Sequence, residues 1–152
     1  MNAIVPGLAR LAEPLHDVGL LVLRLGAGAL IWTFHMRPKL LHFSEEVREF
    51  PDPLGIGSAA SFALALLAEG LCSVLVAAGF MTRLAALSVA FTMLMVLVMA
   101  ARGFEGADVQ AALLYTLPYA TLIMTGPGRY SVDHRLRASY RRLHERVVVR
   151  PE

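Results

Sequence analysis

Four long apolar runs constrain this chain more than any other feature of its sequence. A helix needs about 20 apolar residues to cross a hydrocarbon core of roughly 30 Å. The runs that approach this length are residues 18–36, 58–81, 84–101 and 109–125. They are continuous and do not alternate with polar residues, which excludes a transmembrane β-barrel. The sequence therefore predicts an all-α fold, a transmembrane four-helix bundle built by a single domain that covers residues 1–152.

The composition also favours a membrane protein. Of the 152 residues, 57% are hydrophobic and 17% are charged, whereas a typical soluble domain has roughly 25% charged residues. A soluble domain of this size needs more polar residues to cover its surface, and the same numbers exclude a disordered chain. The single cysteine, Cys72, has no intramolecular partner, which excludes a disulfide scaffold.

The basic residues predict how the spans are oriented. Four spans place both termini on the same side of the membrane. Nine Lys and Arg lie outside the spans on that side, whereas the two loops on the other side carry four. Because cytoplasmic segments carry the excess of basic residues, both termini are predicted to be cytoplasmic. Residues 1–17 contain two prolines and two acidic residues and make a poor signal peptide, so no cleavage is predicted.

Two segments outside the spans are amphipathic. The loop between the first two spans has apolar residues at helical spacing, which predicts a short helix on the outer membrane interface. These residues are Leu40, Phe43, Val47 and Phe50. The basic cytoplasmic tail, residues 129–152, predicts a second helix from about Arg135 to Arg146, and basic residues near a membrane surface are attracted to anionic lipids. The apolar side of this tail helix carries Leu136, Tyr140 and Leu143.

Two charged residues interrupt the predicted spans. Arg24 lies in the first span and Glu69 lies in the second. Each costs about 2.5 to 3.5 kcal/mol at a helix centre on insertion scales. Such residues normally face the interior of a bundle and pair with one another. We therefore predict that Arg24 and Glu69 share one interior cluster.

Helical phase extends this cluster along both helices. At about 100° per residue, the polar residues of the first span fall within about 60° of one another, and those of the second span fall within about 100°. The candidates for ligand binding or proton transfer are Arg24, His35, Lys39, Glu69 and Arg83. Two interpretations stay open. The cluster is either an ion pair that sets the helix register without chemistry, or a polar pocket that handles protons or binds a polar head group.

The sulfur-containing residues do not predict a metal site. Thioether and thiolate ligands suit Cu(I), and Cys72 in the second span accompanies three methionines in the third. Met93 and Met95, however, point to different faces of their helix, and Met commonly fills gaps in cores. No metal is therefore expected.

Several motifs resemble those of the DoxX family, over about residues 18 to 135. In the first two spans they are Arg24-Leu-Gly26 with His35 and Lys39, and Glu69-Gly70 followed by Gly79-Phe-Met-Thr-Arg83. After the last span, the run Thr125–Asp133 includes Gly126, Pro127, Gly128 and Asp133. The resemblance implies a four-helix protein of the bacterial cytoplasmic (inner) membrane. Some relatives are small subunits of thiosulfate:quinone oxidoreductases, and others belong to membrane complexes that handle oxidative or thiol stress.

This chain departs from the family pattern at two positions. Met36 follows His35 where relatives often have Gly, and Gln110 stands where a carboxylate is common. If that carboxylate takes part in proton transfer, this chain lacks it, although Glu105 and Asp108 are close in sequence. The second departure therefore bears on proton transfer.

Three hypotheses for the function stay open. The first is a subunit of a quinone-linked oxidoreductase, in which Arg24, His35, Lys39 and Glu69 give hydrogen bonds and protons to a quinone head group. The second is a non-catalytic membrane anchor or assembly subunit. The third is a small carrier or permease, although four spans are few for alternating access and no inverted repeat is found. The expected partners are the lipid bilayer and either proteins of a membrane complex or a second copy, and not nucleic acid.

Overall fold

The computed structural model describes residues 4–148, and side chains within residues 13–144. Every regular element in this part of the chain is a helix. The α-helices are α1 (Ile4–Ile31), α2 (Arg37–Leu41), α3 (Phe43–Glu49), α4 (Ser58–Ala65), α5 (Ser73–Ala78), α6 (Thr82–Ala101), α7 (Val109–Thr125) and α8 (Val132–Val148). Residues 149–152, the end of the predicted tail, lie outside the described residues.

Three helical segments are long and apolar enough to cross a membrane. We name them span 1 (Glu13–Leu41), span 2 (Ser58–Ala78) and span 3 (Thr82–Ala101). Span 1 extends the predicted 18–36 by five residues at each end. Span 2 ends at Ala78 rather than at 81, and span 3 begins two residues before the predicted 84. The shorter apolar helix α7 has the bounds predicted for the fourth run.

Spans 1 and 2 pack closely because the residues at their interface are small. A methyl group added to Gly28 would lie 3.1 Å from the carbonyl oxygen of Ser73 and 3.2 Å from the Cβ of Ala77. Nearer the other end, Met36 covers Gly70, where an added methyl group would lie 2.9 Å from the Met36 Cε. Small residues let helices approach closely inside a membrane. The two spans therefore run antiparallel, with residue 28 opposite residues 73–77 and residue 36 opposite residue 70.

Two π-helical segments face each other where spans 1 and 2 meet. Residues Trp32–Met36 join α1 to α2, and residues Leu66–Cys72 join α4 to α5. The indole nitrogen of Trp32 donates to the carbonyl oxygen of Gly70 at 3.2 Å. Because a π-helical turn disturbs the regular ladder of hydrogen bonds, such segments are frequent at functional sites. Both candidate residues His35 and Glu69 lie in these segments.

The core lies between span 3, α7 and the facing sides of spans 1 and 2. Its centre is formed by fully buried apolar side chains, Ile31, Val76, Val89 and Leu122 among them. The outer surface is apolar as well: Leu67, Leu87 and Leu117 are all more than half exposed. A soluble protein rarely exposes large continuous apolar patches. Lipid contact accounts for this surface, so the helices are embedded in a bilayer.

Candidate functional site

Glu69 pairs with Lys39, near the far end of span 1. The Lys39 ammonium lies 2.5 Å from a carboxylate oxygen of Glu69. The Glu69 side chain is 4% exposed and the Lys39 side chain is 15% exposed. Lys39 also lies 5.3 Å from the centre of the Phe50 ring, within range of a cation–π interaction. The charge of Glu69 is thus compensated by a cation that the helical phase had placed on the same polar face as Arg24.

The predicted pairing of Arg24 with Glu69 is wrong. The Arg24 side chain is fully buried, and one of its terminal nitrogens donates to the carbonyl oxygen of Tyr130 at 2.8 Å. Its other two side-chain nitrogens have no hydrogen-bond partner among the described residues. The guanidinium group packs on Gly79, in the space that a side chain at that position would need. Gly79 also has a φ of +73°, which favours glycine.

Helical phase predicts which face of a helix a residue occupies, but not its level along the bundle. The predicted pairing requires Arg24 and Glu69 to lie at one level. Arg24 instead lies opposite Gly79, at the end of span 2. Glu69 precedes Gly79 by ten residues, or about 15 Å of helix. The two side chains therefore lie at different levels of the bundle, and Lys39 reaches Glu69 from the opposite direction.

Arg24 belongs to a junction formed by Arg24, Gly79, Thr82, Tyr130 and Asp133. The Asp133 carboxylate accepts hydrogen bonds from the backbone N–H groups of Met81 at 2.8 Å and Thr82 at 3.0 Å, and from the Thr82 hydroxyl at 3.0 Å. The Asp133 N–H donates to the carbonyl oxygen of Gly79 at 2.9 Å. Asp133 thus caps the start of span 3 from a distant part of the chain.

The glycines after α7 extend the junction to span 1. An added methyl group on Gly128, whose φ is +75°, would lie 3.2 Å from Leu20 and 3.3 Å from the Asp17 carboxylate. That carboxylate accepts from the Arg129 N–H at 2.9 Å. The predicted motif residues Gly126, Pro127, Gly128 and Asp133 therefore lie in or beside a connection between helix ends, and the structure brings none of them to Glu69.

His35 and Arg83 form no hydrogen bond or ion pair with Glu69 or Lys39. The half-buried His35 ring contacts the Tyr115 ring of α7 edge to face, with centroids 4.8 Å apart. Its buried Nδ1 atom has no hydrogen-bond partner among the described residues. The exposed Arg83 donates to the carbonyl oxygen of Met124 at 3.3 Å. Of the five predicted site residues, only Lys39 and Glu69 are joined by an ion pair or a hydrogen bond.

A groove of about 570 Å³ lies between spans 2 and 3. Its walls are largely apolar, and residues 50–54 form one end. Four of its lining side chains, Leu64, Leu67, Leu87 and Phe91, are about half exposed on the apolar surface. The groove therefore opens towards lipid. Its polar lining consists of Ser61, Glu69, Cys72, Ser88 and Thr92.

The hydroxyl groups in the groove have their protons engaged. Ser88 donates to the carbonyl oxygen of Leu84 at 3.2 Å, and Thr92 donates to that of Val89 at 2.8 Å. A hydroxyl oxygen keeps acceptor capacity after it has donated its proton. The oxygens of Ser88, Thr92 and the Glu69 carboxylate can therefore accept hydrogen bonds.

Asp52 holds the end of the groove in place. Its carboxylate accepts from the Gly57 N–H at 2.7 Å, the Ser61 hydroxyl at 2.8 Å and the Ile56 N–H at 3.0 Å. The hydrogen bond from Ser61 and those from the backbone lower the pKa of Asp52. The chain that follows Phe50 is therefore tied to the first turn of span 2.

The groove is not predicted from the sequence, because the polar face of span 2 is expected to contact span 1 alone. The missed signal was in span 3, where Ser88 and Thr92 are four residues apart and so share a face of an apolar helix. The described residues also contain no group of three His, Cys, Asp or Glu side chains that could hold a metal ion.

Comparison with known proteins supports the resemblance to one family. The family model described as DoxX matches residues 19–102, which include spans 2 and 3, most of span 1 and the whole lining of the groove. The run Thr125–Asp133 lies after the matched residues. No curated protein and no solved structure shows a significant match to the chain.

Proposed function

This chain belongs to the DoxX family of membrane proteins, and from that premise we propose that it is a membrane subunit of a redox complex that binds a quinone head group in the groove between spans 2 and 3. The groove beside Glu69 is the observation that carries this proposal. Its volume of about 570 Å³ falls within the roughly 300 to 1,000 Å³ of ligand pockets. Its opening towards lipid suits a ligand that is dissolved in the bilayer.

The hydrogen-bonding groups of the groove fit the reduced form of such a ligand. A quinone supplies two-electron, two-proton redox chemistry and carries two hydroxyl groups when reduced. The Ser88 and Thr92 oxygens accept hydrogen bonds from those hydroxyls, and the Glu69 carboxylate accepts a hydrogen bond or a proton. Lys39 stabilises the negative charge of Glu69 from the side of span 1. The partner subunit of the complex exchanges the electrons.

We also propose how the chain is placed in the membrane and in the cell. Helix α7 has 17 residues, or about 26 Å of helix, and packs against span 3. We assign it as the fourth crossing, with both termini in the cytoplasm and the protein in the bacterial inner membrane. The excess of Lys and Arg on the side of the termini supports this orientation.

A pair of substitutions on span 3 tests the site. Thr92→Phe places an aromatic ring in the groove, whereas Leu94→Phe places the same ring on the exposed surface, where Leu94 is 51% exposed. A short-chain benzoquinol at about 100 times its Kd stabilises a protein by about 2.7 kcal/mol. We expect the quinol to raise the melting temperature of the wild type and of Leu94→Phe in detergent, and not that of Thr92→Phe. An equal rise in all three proteins would contradict binding in the groove.

Glu69→Gln tests the carboxylate within the same assay. This change keeps the size of the side chain and removes its ability to take up a proton at working pH. We expect a smaller rise in melting temperature for Glu69→Gln than for the wild type. In an assembled complex, compared at equal amounts of folded protein, quinone-linked activity should fall and its pH dependence should change.

The anchor function is the second candidate, and the junction favours it. Arg24 and the motif after α7 are used to hold helix ends together, a structural role that needs no bound ligand. The two functions differ in one outcome. If Thr92→Phe binds no quinol yet still assembles fully with the partner proteins and supports their activity, the anchor function replaces the quinone site.

A further inference from the structure

Helix α8, Val132–Val148, carries an apolar stripe along one side. At about 100° per residue, Val132, Leu136, Tyr140 and Leu143 fall within about 80° of one another. Arginines lie on both sides of this stripe and opposite it, at positions 135, 137, 141 and 142. A helix with a narrow apolar side and a strongly basic remainder is typical of segments that lie in a membrane interface.

No part of the described chain covers the stripe. Leu136 is 52% exposed, Leu143 is 62% exposed and Tyr140 is 71% exposed. Between His134 and His144, every side chain except Ala138 is exposed. Burial of apolar side chains normally stabilises an amphipathic helix, so this helix needs a covering surface outside the described chain.

The start of α8 is fixed beside the ends of spans 2 and 3. Asp133, in its first turn, binds the backbone of Gly79, Met81 and Thr82. Span 2 ends at Ala78 and span 3 begins at Thr82. The helix therefore begins at the level where two membrane helices reach the edge of the bilayer.

The charge of α8 indicates which kind of surface covers its apolar stripe. Residues 134–144 contain four arginines and no acidic residue. Anionic lipid head groups attract basic residues that lie close to a membrane surface. We infer that α8 lies on the membrane surface, with its apolar stripe in the acyl boundary and its arginines bound to anionic lipids. This inference holds for either orientation of the spans and does not depend on the quinone site.

Hydrogen exchange of the full-length protein in lipid nanodiscs tests this inference. We expect the backbone amides of residues 136–144 to exchange at least tenfold more slowly in discs that contain phosphatidylglycerol than in discs of phosphatidylcholine alone. The difference should shrink as salt is added, because salt screens exposed charges. The exchange of span 3 reports in the same experiment that the bundle is folded.

Two pairs of charge reversals distinguish an effect of the arginines of α8 from an effect of the net charge of the protein. Arg135→Glu with Arg142→Glu, on one flank of the stripe, should abolish the effect of phosphatidylglycerol. Arg37→Glu with Arg48→Glu makes the same change in net charge at the other end of span 1 and in α3, and should leave the effect intact. Equal exchange of α8 in both kinds of disc, or protection that arises only after a partner protein is added, would overturn the inference.

Discussion

Glu69 and Lys39 form a charge pair whose two members are buried to different degrees. The Glu69 side chain is 4% exposed and that of Lys39 is 15% exposed. Removing one member of a buried pair leaves the other charge without compensation and costs about 3 to 5 kcal/mol. An unpaired Lys39, as the more exposed of the two, is more easily stabilised by its surroundings than an unpaired Glu69. The more severe loss should therefore follow removal of Lys39.

A double-mutant cycle tests the pair at the scale of single residues. We expect Lys39→Met to lower the unfolding free energy in mixed micelles by more than Glu69→Met does. The double variant should recover most of the loss, because no buried charge is left. Arg24→Met serves as the control: its effect and that of Glu69→Met should add within about 0.5 kcal/mol. Coupling of Arg24 to Glu69 that is larger than the coupling of Lys39 to Glu69 would contradict the structure.

At the scale of helices, the chain secures span 3 by a cap from a remote segment. Asp133 accepts three hydrogen bonds from Met81 and Thr82. Helix α7 has a local cap instead, in which Asp108 accepts a single hydrogen bond from the Ala111 N–H at 2.9 Å. Loss of a cap typically costs about 0.5 to 2 kcal/mol. Asp133 also joins α8 to the bundle, so its removal should cost more stability than the removal of a local cap.

Substitution of each capping residue in turn measures this difference in stability. We expect Asp133→Ala to lower the melting temperature more than Asp108→Ala does. Asp133→Asn should lie between the wild type and Asp133→Ala, since an amide oxygen still accepts from the backbone. Equal effects of Asp133→Ala and Asp108→Ala would show that the remote contacts contribute no more than an ordinary cap.

The helices themselves were largely predictable from the sequence, whereas their register was not. Apolar runs mark a helix because each run must match the thickness of the bilayer, and the predicted 109–125 coincides with α7. Register depends on small contacts such as Gly28 against Ser73 and on π-helical turns, neither of which changes the hydropathy of a run. Helical phase correctly grouped Lys39 with Arg24 on span 1, but it carried no information about which of them meets Glu69.

At the scale of the whole molecule, the two polar regions lie at different levels along the bundle. The junction joins the start of span 3, the end of span 2 and the loop that precedes α8. The groove extends from the middle of span 2, where Glu69 pairs with Lys39, towards the opposite end of that span, next to residues 50–54. If both termini are cytoplasmic, the junction faces the cytoplasm, and α8 lies on the cytoplasmic leaflet. The groove then lies nearer the outer surface.

Labelling of single cysteines tests this orientation. In a Cys72→Ala background, we expect a membrane-impermeant thiol reagent added to intact cells to label Glu46→Cys in α3 and Glu105→Cys in the loop before α7. Arg141→Cys in α8 should be labelled only after the cells are opened. Labelling of Arg141→Cys alone in intact cells would reverse the orientation. The junction would then face outward, and the groove would lie nearer the cytoplasm. Equal labelling of Glu105→Cys and Arg141→Cys in intact cells would mean that α7 does not cross the membrane.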